Sequence, residues 1–188
     1  SCLVPRNNKL REDISLTSGG LDVIDLECYD QVLIVGAQLF IPEYLRVGAT
    51  SQHIEQVFNS CWNNTTAASL YELVRQFRRD YKISVIPCPM SALKNNEYDY
   101  YTTDRDLTYE QKCHLFSEFL FEKNIKLELL GQTESTLFNP NHTKYEMTKG
   151  SYALVASHEK VLREHNEEDL YHMNRHYGEQ LINEIINR

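Results

Sequence analysis

The stretch QVLIVGA, residues 31–37, decides the fold class of this chain. It is an almost unbroken apolar run that closes on Gly36. A continuous run of this kind, without alternating polar residues, is typical of a strand buried on both faces of a sheet. A buried strand is therefore expected here, with its carboxyl end close to Gly36.

Three further segments have the character of strands. KISVIPCP, residues 82–89, ends on prolines, which cannot donate a backbone hydrogen bond to a neighbouring strand. IKLELL, residues 125–130, is stopped by Gly131. LDVIDL, residues 21–26, is expected to form a short strand ahead of the first one.

Helical periodicity fills the gaps between these runs. Apolar residues recur every three or four positions in four segments, which span residues 54–61, 70–77, 113–120 and 177–185. Thr108 and Gln111 form a capping box before the third of these helices. Strands that alternate with helices predict an α/β fold, with a parallel sheet and helices on both faces. Ligands bind such sheets beyond the carboxyl ends of the strands.

Two long polar stretches are expected to be loops. Residues 91–108 are polar and rich in tyrosine, and they are predicted to lie over the carboxyl edge of the sheet as a substrate lid. The stretch 131–150 is predicted to be the second loop. Four tyrosines of the first stretch and its end are candidates to stack on a sugar: Tyr98, Tyr100, Tyr101 and Tyr109.

Composition limits the classes of function. The 188 residues are expected to form a single domain, since 41% are hydrophobic and 24% are charged. A net charge of −8 argues against nonspecific binding to nucleic acid or to an anionic membrane. No apolar run approaches 18 residues, so no membrane span is expected. Five cysteines without a C-x-x-C pair predict free, mostly buried thiols in a reducing, cytoplasmic compartment, and they argue against a zinc site.

Asp169 and His172 are the first candidates for chemistry. A histidine that acts as a general base needs a partner on its other ring nitrogen, and a carboxylate there fixes the tautomer and stabilises the imidazolium. An aspartate three residues earlier, in a turn that enters a helix, can make this contact locally. The alternative is that Asp169 caps the helix and His172 is a surface residue. The remaining histidines in polar stretches, His142, His158 and His165, lack metal-ligand spacing and are expected to be solvated or capping residues.

Gln38 and a glycine turn are candidates to stabilise an oxyanion. Gln38 follows Gly36 at the carboxyl end of the most apolar strand, where its amide can donate a hydrogen bond. Gly19 and Gly20, in TSGGLD, offer backbone N–H groups from a nearby turn. The alternatives are an ordinary polar strand end and an ordinary turn.

The order of these features resembles the SGNH (GDSL-like) hydrolase family, in particular members associated with polysaccharide biosynthesis. The last block of that family is D-x-x-H before a helix that contains glycine, and here it is matched by Asp169-Leu-Tyr-His172 and by Gly178. Its third block is G-x-N, which stands here as Gly36-Ala37-Gln38. Its second block is matched by Gly19 or Gly20. The resemblance implies a flavodoxin-like, three-layer α/β sandwich over residues 1–188, with the first strand missing or trimmed.

The nucleophile of the family is a serine after the first strand. The resemblance places it at Ser1, in the opening Ser1-Cys2, with Ser18 and Cys2 as lesser candidates. It implies an esterase that removes an acyl group, most simply acetyl, from a carbohydrate, or an acyltransferase fed by a donor such as acetyl-CoA or by another domain. Neither a metal nor another cofactor is implied, and the expected partner is a small-molecule or carbohydrate ester.

Two other functions remain open. The chain is alternatively a catalytically inactive SGNH-like binding module, within a polysaccharide biosynthesis system or a larger multidomain protein. Gln38 at the third block and the absence of a strand before Ser1 favour that alternative. The third possibility is an α/β enzyme of another type, in which the D-x-x-H pattern is a coincidence.

Overall fold

The structure, a computed structural model, describes residues 2–3, 24–42, 45–93, 106–139, 141–152, 164–166 and 169–187. In chain order the described elements are β1 (Cys2–Leu3), β2 (Ile24–Asp25), β3 (Gln31–Phe40), α1 (Ser51–Trp62), α2 (Thr66–Phe77), β4 (Lys82–Cys88), β5 (Ala92–Leu93), α3 (Tyr109–Glu122), β6 (Glu128–Leu129), β7 (Leu137–Asn139), β8 (His142–Lys144) and α4 (Arg175–Ile186). Single turns of 3-10 helix lie at Leu26–Cys28, Glu134–Thr136 and Tyr145–Met147.

The main sheet is parallel, as the alternating pattern predicts. Its strands lie in the order β3-β4-β6, with Gln31 opposite Lys82 and Ser84 opposite Glu128. The prediction of an α/β fold with a parallel sheet is therefore confirmed. The third strand is shorter than the sequence pattern indicates, because only Glu128 and Leu129 pair with β4.

Apolar side chains pack on both sides of β4. Val85 is fully buried in a large cluster with Phe58 of α1, Val74 of α2 and Phe116 of α3. Its neighbour Ile86 belongs to a second, smaller cluster with residues of α4. Successive side chains of a strand point to opposite faces. Helices α1, α2 and α3 therefore cover one face of β4, and α4 covers the other.

Side-chain caps explain where the helices begin. Thr50, Thr65 and Asn174 each accept a backbone N–H from the first turn of α1, α2 and α4, respectively. Thr108 and Gln111 make both hydrogen bonds of the predicted capping box at α3.

The prediction of a long loop at residues 131–150 is wrong. Strands β7 and β8 form an antiparallel hairpin there, and β8 also pairs in parallel with β5. This small second sheet is held by buried polar contacts: Gln132 Nε2 donates to Thr143 Oγ1 at 2.8 Å, and Thr143 Oγ1 donates to the Met90 carbonyl at 2.6 Å. Periodicity of apolar residues does not reveal a hairpin of this kind, because its interior is polar.

None of the described helices has the length and the apolar character that a membrane crossing requires. The four cysteines whose side chains are described, Cys28, Cys61, Cys88 and Cys113, are free thiols, and Cys28 is exposed.

Candidate active site

Asp169 and His172 form a hydrogen-bonded pair. The distance from Asp169 Oδ2 to His172 Nδ1 is 2.6 Å. The other carboxylate oxygen, Oδ1, accepts the backbone N–H groups of Tyr171 and His172, each at 3.0 Å. The alternative that Asp169 caps the helix is wrong, because Asn174 is the N-cap of α4. Asp169 instead closes the turn before the helix and contacts the imidazole at the same time.

The environment keeps Asp169 ionised. Burial alone would raise the pKa of this carboxyl group, since a charge is disfavoured away from water. The hydrogen bonds from the backbone of Tyr171 and from the ring and backbone of His172 outweigh it, and the pKa of Asp169 is lowered. The side chain of Asp169 is 19% exposed and that of His172 is 61% exposed. A fixed carboxylate is thus combined with an accessible imidazole.

Three backbone hydrogen bonds anchor the segment that carries this pair. The Leu170 carbonyl accepts the N–H of Ala92 at 2.8 Å, and the Met147 carbonyl accepts the N–H of Asn174 at 2.6 Å. The N–H of His165 donates to the Ser151 carbonyl at 2.9 Å. Ala92 begins β5, four residues after the carboxyl end of β4. The pair is therefore tied to the chain that leaves the carboxyl edge of the main sheet, where such folds bind ligands.

His165 is a site residue that the sequence analysis missed. Its Nδ1 lies 3.1 Å from Asp169 Oδ2, the same oxygen that contacts His172. Its ring stacks on the ring of His172, with centroids 4.0 Å apart and planes inclined by 6°. The spacing H-x-x-x-D-x-x-H was the available signal, but no regular element carries it, so periodicity could not reveal it.

These three side chains offer one ligand atom each within 4.8 Å of one another, so a metal ion has to be considered. A metal lies close to the plane of each imidazole that binds it, at about 2.0–2.1 Å for zinc. Two parallel rings, 4.0 Å apart, direct their Nδ1 lone pairs side by side rather than at one point. The 2.6 Å separation of His172 Nδ1 from Asp169 Oδ2 is that of a hydrogen bond, whereas His165 Nδ1 approaches the same oxygen at 3.1 Å without one. The observed geometry fits a hydrogen-bonded aspartate–histidine pair better than a metal centre.

Gln38 lies at the carboxyl end of β3, in an unusual piece of backbone. Gly36, Ala37 and Gln38 all adopt the left-handed region, with φ of 67°, 46° and 60°. The pairing with β4 jumps from Val35 opposite Ile86 to Phe40 opposite Cys88, so the three residues bulge out of the ladder. Left-handed conformations are costly for residues other than glycine, and strain of this kind is concentrated at functional sites.

The bulge brings backbone N–H groups to the thiol of Cys88. Burial raises the pKa of Cys88, and hydrogen bonds from the backbone of Gln38, Cys88 and Leu39 partly oppose that shift. The Gln38 side chain points elsewhere, since its Oε1 accepts a hydrogen bond from Thr66 Oγ1 at 2.7 Å. Among the described residues, no hydrogen bond or ion pair joins Gln38 to Asp169 or His172.

Tyr177 connects the two parts of this edge. Burial, reinforced by the nearby Cys88 thiol, raises the pKa of Tyr177, five residues after His172 in the chain. The beginning of α4 therefore lies at the carboxyl end of β4, beside the bulge of β3. Helix α4, which follows the Asp169–His172 pair, and the bulge that carries Gln38 therefore lie at the same edge of the sheet.

The other predicted site residues, Ser1, Gly19 and Gly20, lie outside the described residues, as does Ser18. The neighbour of Ser1, Cys2, is described in its backbone and pairs with Asp25 in the small antiparallel sheet. Asp25 leads into the 3-10 turn that precedes β3, whose Leu26 carbonyl accepts the Tyr81 hydroxyl just before β4. The described part of this strand pair therefore lies at the amino edge of the main sheet.

A groove of about 810 Å³ lies between α3 and the chain from Leu129 to Asn139. Its described lining includes Glu110, His114, Glu134 and Phe138, and none of it is lysine or arginine. The predicted stacking role of Tyr109 is wrong, because this residue begins α3 and is 3% exposed. Tyr98, Tyr100 and Tyr101 lie outside the described residues.

Asn139, one of the residues that line the groove, contacts His142. Asn139 Oδ1 accepts the backbone N–H of Asn141 at 2.8 Å and lies 3.1 Å from His142 Nδ1. Its amide nitrogen is buried and has no hydrogen-bond partner among the described residues. His142 itself is 6% exposed, so the expectation that it is solvated is wrong.

Comparison of the chain with protein-family models, with curated proteins and with solved structures found no match in any of the three.

Proposed function

We propose that this protein cleaves or transfers an ester-linked acyl group on a carbohydrate, most simply acetyl, with a serine nucleophile activated by His172. The observation that supports this proposal is the 2.6 Å contact between Asp169 Oδ2 and His172 Nδ1, beside the carboxyl edge of a parallel sheet. A carboxylate, held in place by its own hydrogen bonds and directed at one ring nitrogen, is the arrangement that prepares the other ring nitrogen as a base.

The proposed reaction uses each atom of the pair. His172 Nδ1 keeps its proton and donates it in a hydrogen bond to Asp169. Nε2 is therefore free to take the proton of the serine hydroxyl as Oγ attacks the ester carbonyl. Asp169 stabilises the imidazolium. The tetrahedral intermediate collapses, the sugar oxygen leaves as a hydroxyl with the proton from Nε2, and the acyl group stays on the serine. Water or an acceptor hydroxyl, deprotonated by Nε2, then attacks the acyl-serine carbonyl. The serine Oγ leaves and takes that proton back from Nε2, which regenerates the enzyme.

Gln38 and the backbone N–H groups of Gly19 and Gly20 are the proposed oxyanion donors. Cys2 lies at the amino edge of the sheet, away from the Asp169–His172 pair, and this disfavours its neighbour Ser1 as the nucleophile. The contact of Gln38 Oε1 with Thr66 leaves the amide nitrogen as the end that has to reach the oxyanion. This chemistry requires neither a metal nor a nucleotide, and in a transferase an acyl donor such as acetyl-CoA supplies the group.

We extend the proposal to the SGNH hydrolase family and its flavodoxin-like sandwich. Three features support this assignment: the parallel order β3-β4-β6, helices against both faces of β4, and a D-x-x-H segment that enters the last described helix.

The groove next to α3 supports a carbohydrate substrate. Phe138 is 39% exposed there and offers an apolar ring, while carboxylates and amides of the wall can bond hydroxyl groups. The lack of lysine and arginine in the described lining disfavours an anionic ligand. Ser135, next to this lining, donates a hydrogen bond to Gln180 of α4 at 3.0 Å, so the groove adjoins the helix that follows the pair.

The test is labelling with a fluorophosphonate probe, followed by peptide mass spectrometry. Wild type and His172→Ala are compared with His176→Ala, a control that removes an exposed imidazole of α4, whose Nε2 lies 2.9 Å from Gln180 Nε2. We expect one labelled serine in wild type and in His176→Ala, and none in His172→Ala. The labelled peptide decides among Ser1, Ser18 and other serines.

Absence of labelling in folded wild type would contradict the serine mechanism. In that case the protein is better described as a binding module, and the next measurement is binding of neutral acetylated oligosaccharides by Phe138→Ala and wild type. Labelling that persists in His172→Ala would show a reactive serine that does not depend on the pair.

A further inference from the structure

We propose that His165 is a positioning residue, which holds the ring of His172 in the orientation that contacts Asp169. The catalytic consequence rests on the function proposed above, but the positioning itself does not. The inference starts from the 3.1 Å contact of His165 Nδ1 with Asp169 Oδ2 and from the stacking of the two rings.

Asp169 is held by three hydrogen bonds from its own segment. Its Oδ1 accepts the N–H groups of Tyr171 and His172, and its Oδ2 lies 2.6 Å from His172 Nδ1. His165 Nδ1 approaches the same oxygen at 3.1 Å, an ion-pair contact when the ring is protonated rather than a hydrogen bond. An oxygen in the plane of the His172 ring lies outside the plane of a parallel ring stacked on it.

The hydrogen bond to Asp169 fixes the tautomer of His172. An ionised carboxylate only accepts hydrogen bonds, so Nδ1 of His172 has to carry the proton, with Nε2 unprotonated. This is the form that a general base requires. A contact that keeps the His172 ring in this orientation therefore also keeps its tautomer.

Stacking restricts the ring of His172 from one side. The two rings are nearly parallel, with centroids 4.0 Å apart, and the side chain of His165 is only 19% exposed, against 61% for His172. The less exposed ring of His165 thus covers one face of the His172 ring. Rotation of His172 away from Asp169 loses this contact together with the hydrogen bond.

The position of His165 is fixed independently of Asp169. Its backbone N–H donates to the Ser151 carbonyl at 2.9 Å. The adjacent Glu164 forms an antiparallel bridge with Tyr152, and the Tyr152 hydroxyl donates to Glu164 Oε1 at 3.1 Å. A ring attached to this short ladder can hold the exposed side chain of His172 in place.

The test is the tautomeric state of His172, read from long-range ¹H–¹⁵N correlations of the imidazole rings in full-length, ¹⁵N-labelled protein. We expect His172 to show the Nδ1–H tautomer in wild type. In His165→Ala, which removes the stacked ring, His172 should become a mixture of tautomers. His165→Phe keeps a flat ring and should restore the wild-type signal, whereas His165→Gln has no ring and should not. His176→Phe serves as the control and should change nothing at His172.

Kinetics provide the second readout, with an acetyl ester as substrate. Since His165 is argued to act through His172, kcat should fall roughly tenfold to a hundredfold in His165→Ala, with KM nearly unchanged. Unaltered kcat together with an unaltered His172 tautomer would overturn the proposal. Stoichiometric binding of Zn²⁺ alone, with loss of the His172 Nδ1–H signal in wild type, would overturn it in favour of a metal site.

The two proposals fail separately. If the fluorophosphonate probe labels no serine but the tautomer of His172 depends on His165, the esterase function is wrong and the positioning role stands. If the probe labels wild type and His165→Ala equally, with the same His172 signals, the function stands and the positioning role is wrong.

Discussion

Asp169 shows how one short side chain can serve backbone and ring at once. Its Oδ1 closes a local turn and its Oδ2 contacts two imidazoles, so the carboxylate is structural as well as electrostatic. The pairing with His172 could be predicted from sequence because the partners are three residues apart. The contact of Gln38 with Thr66 could not, since 28 residues separate the two and no pattern connects them.

Asp169→Asn should make the free energy of unfolding less dependent on pH. The folded protein lowers the pKa of Asp169, so the carboxylate contributes stability at pH values above its ordinary pKa of 3.8. That contribution is lost as the pH falls through the folded pKa. Wild type should therefore exceed Asp169→Asn in stability at pH 6, and the difference should shrink below pH 3.8.

Urea unfolding of both proteins at several pH values measures this difference. Asp80→Asn is the control, because the Asp80 side chain is 78% exposed. The free energy of unfolding of this variant should stay close to that of wild type at every pH. A difference between wild type and Asp169→Asn that is the same at pH 6 and pH 3 would contradict the lowered pKa.

At the scale of elements, the positions of helices and strands were easier to predict than their burial and their ends. The expectation that residues 31–37 are buried on both faces is wrong, because β3 lies at one end of the described strand order β3-β4-β6 and its Val35 is 57% exposed. The four helices in the described part of the chain lie where the periodicity places them, and the capping box of α3 could be predicted from Thr108 and Gln111. The backbone conformation at the carboxyl end of β3 could not be predicted from the sequence. Gly36 alone hints at a left-handed residue, whereas Ala37 and Gln38 give no local sign that they follow it. Long-range pairing with β4 holds them there, and single-segment patterns do not contain that information.

Two glycines should respond in opposite directions to the same substitution. Gly36 has a φ of +67°, so Gly36→Ala should lower the free energy of unfolding by about 1–2 kcal/mol through backbone strain. Gly178 lies inside α4, with nothing within 4 Å of an added Cβ, so Gly178→Ala should raise that free energy by about 1 kcal/mol. Urea unfolding measures the free energy of unfolding of both variants and of wild type. Equal effects of the same sign would contradict the assigned backbone conformations.

At the scale of the whole molecule, the alternation of apolar runs and helical patterns was sufficient to predict the parallel sheet. It failed for the β7–β8 hairpin, whose contacts run through Thr143, Gln132 and Asn139 rather than through apolar residues. Burial of polar groups depends on partners brought from elsewhere in the chain, such as Met90. The same reason kept His142 from being recognised as buried.

Phe58 should be one of the most sensitive positions of the core. It is fully buried, and its ring lies 4.9 Å from that of Phe116, between α1 and α3. Phe58→Ala should lower the free energy of unfolding by about 3–5 kcal/mol. Phe121→Ala is the matched control, because Phe121 is 82% exposed, and it should change that free energy by about 0.5 kcal/mol or less. Thermal and urea unfolding compare the two, and similar losses would contradict the assignment of the core.

His165, Asp169 and His172 fall within eight consecutive residues, and this has a consequence for inheritance. The proposed acid–base pair and its proposed positioning residue are therefore encoded as one contiguous piece of gene. A permutation, fusion or insertion elsewhere in the chain leaves them together, whereas the proposed nucleophile has to come from a different part of the sequence. Under the proposed mechanism, a single change at that serine would abolish the activity while the segment persists. A descendant of this kind would still display an intact aspartate–histidine pair, long after the proposed reaction had disappeared.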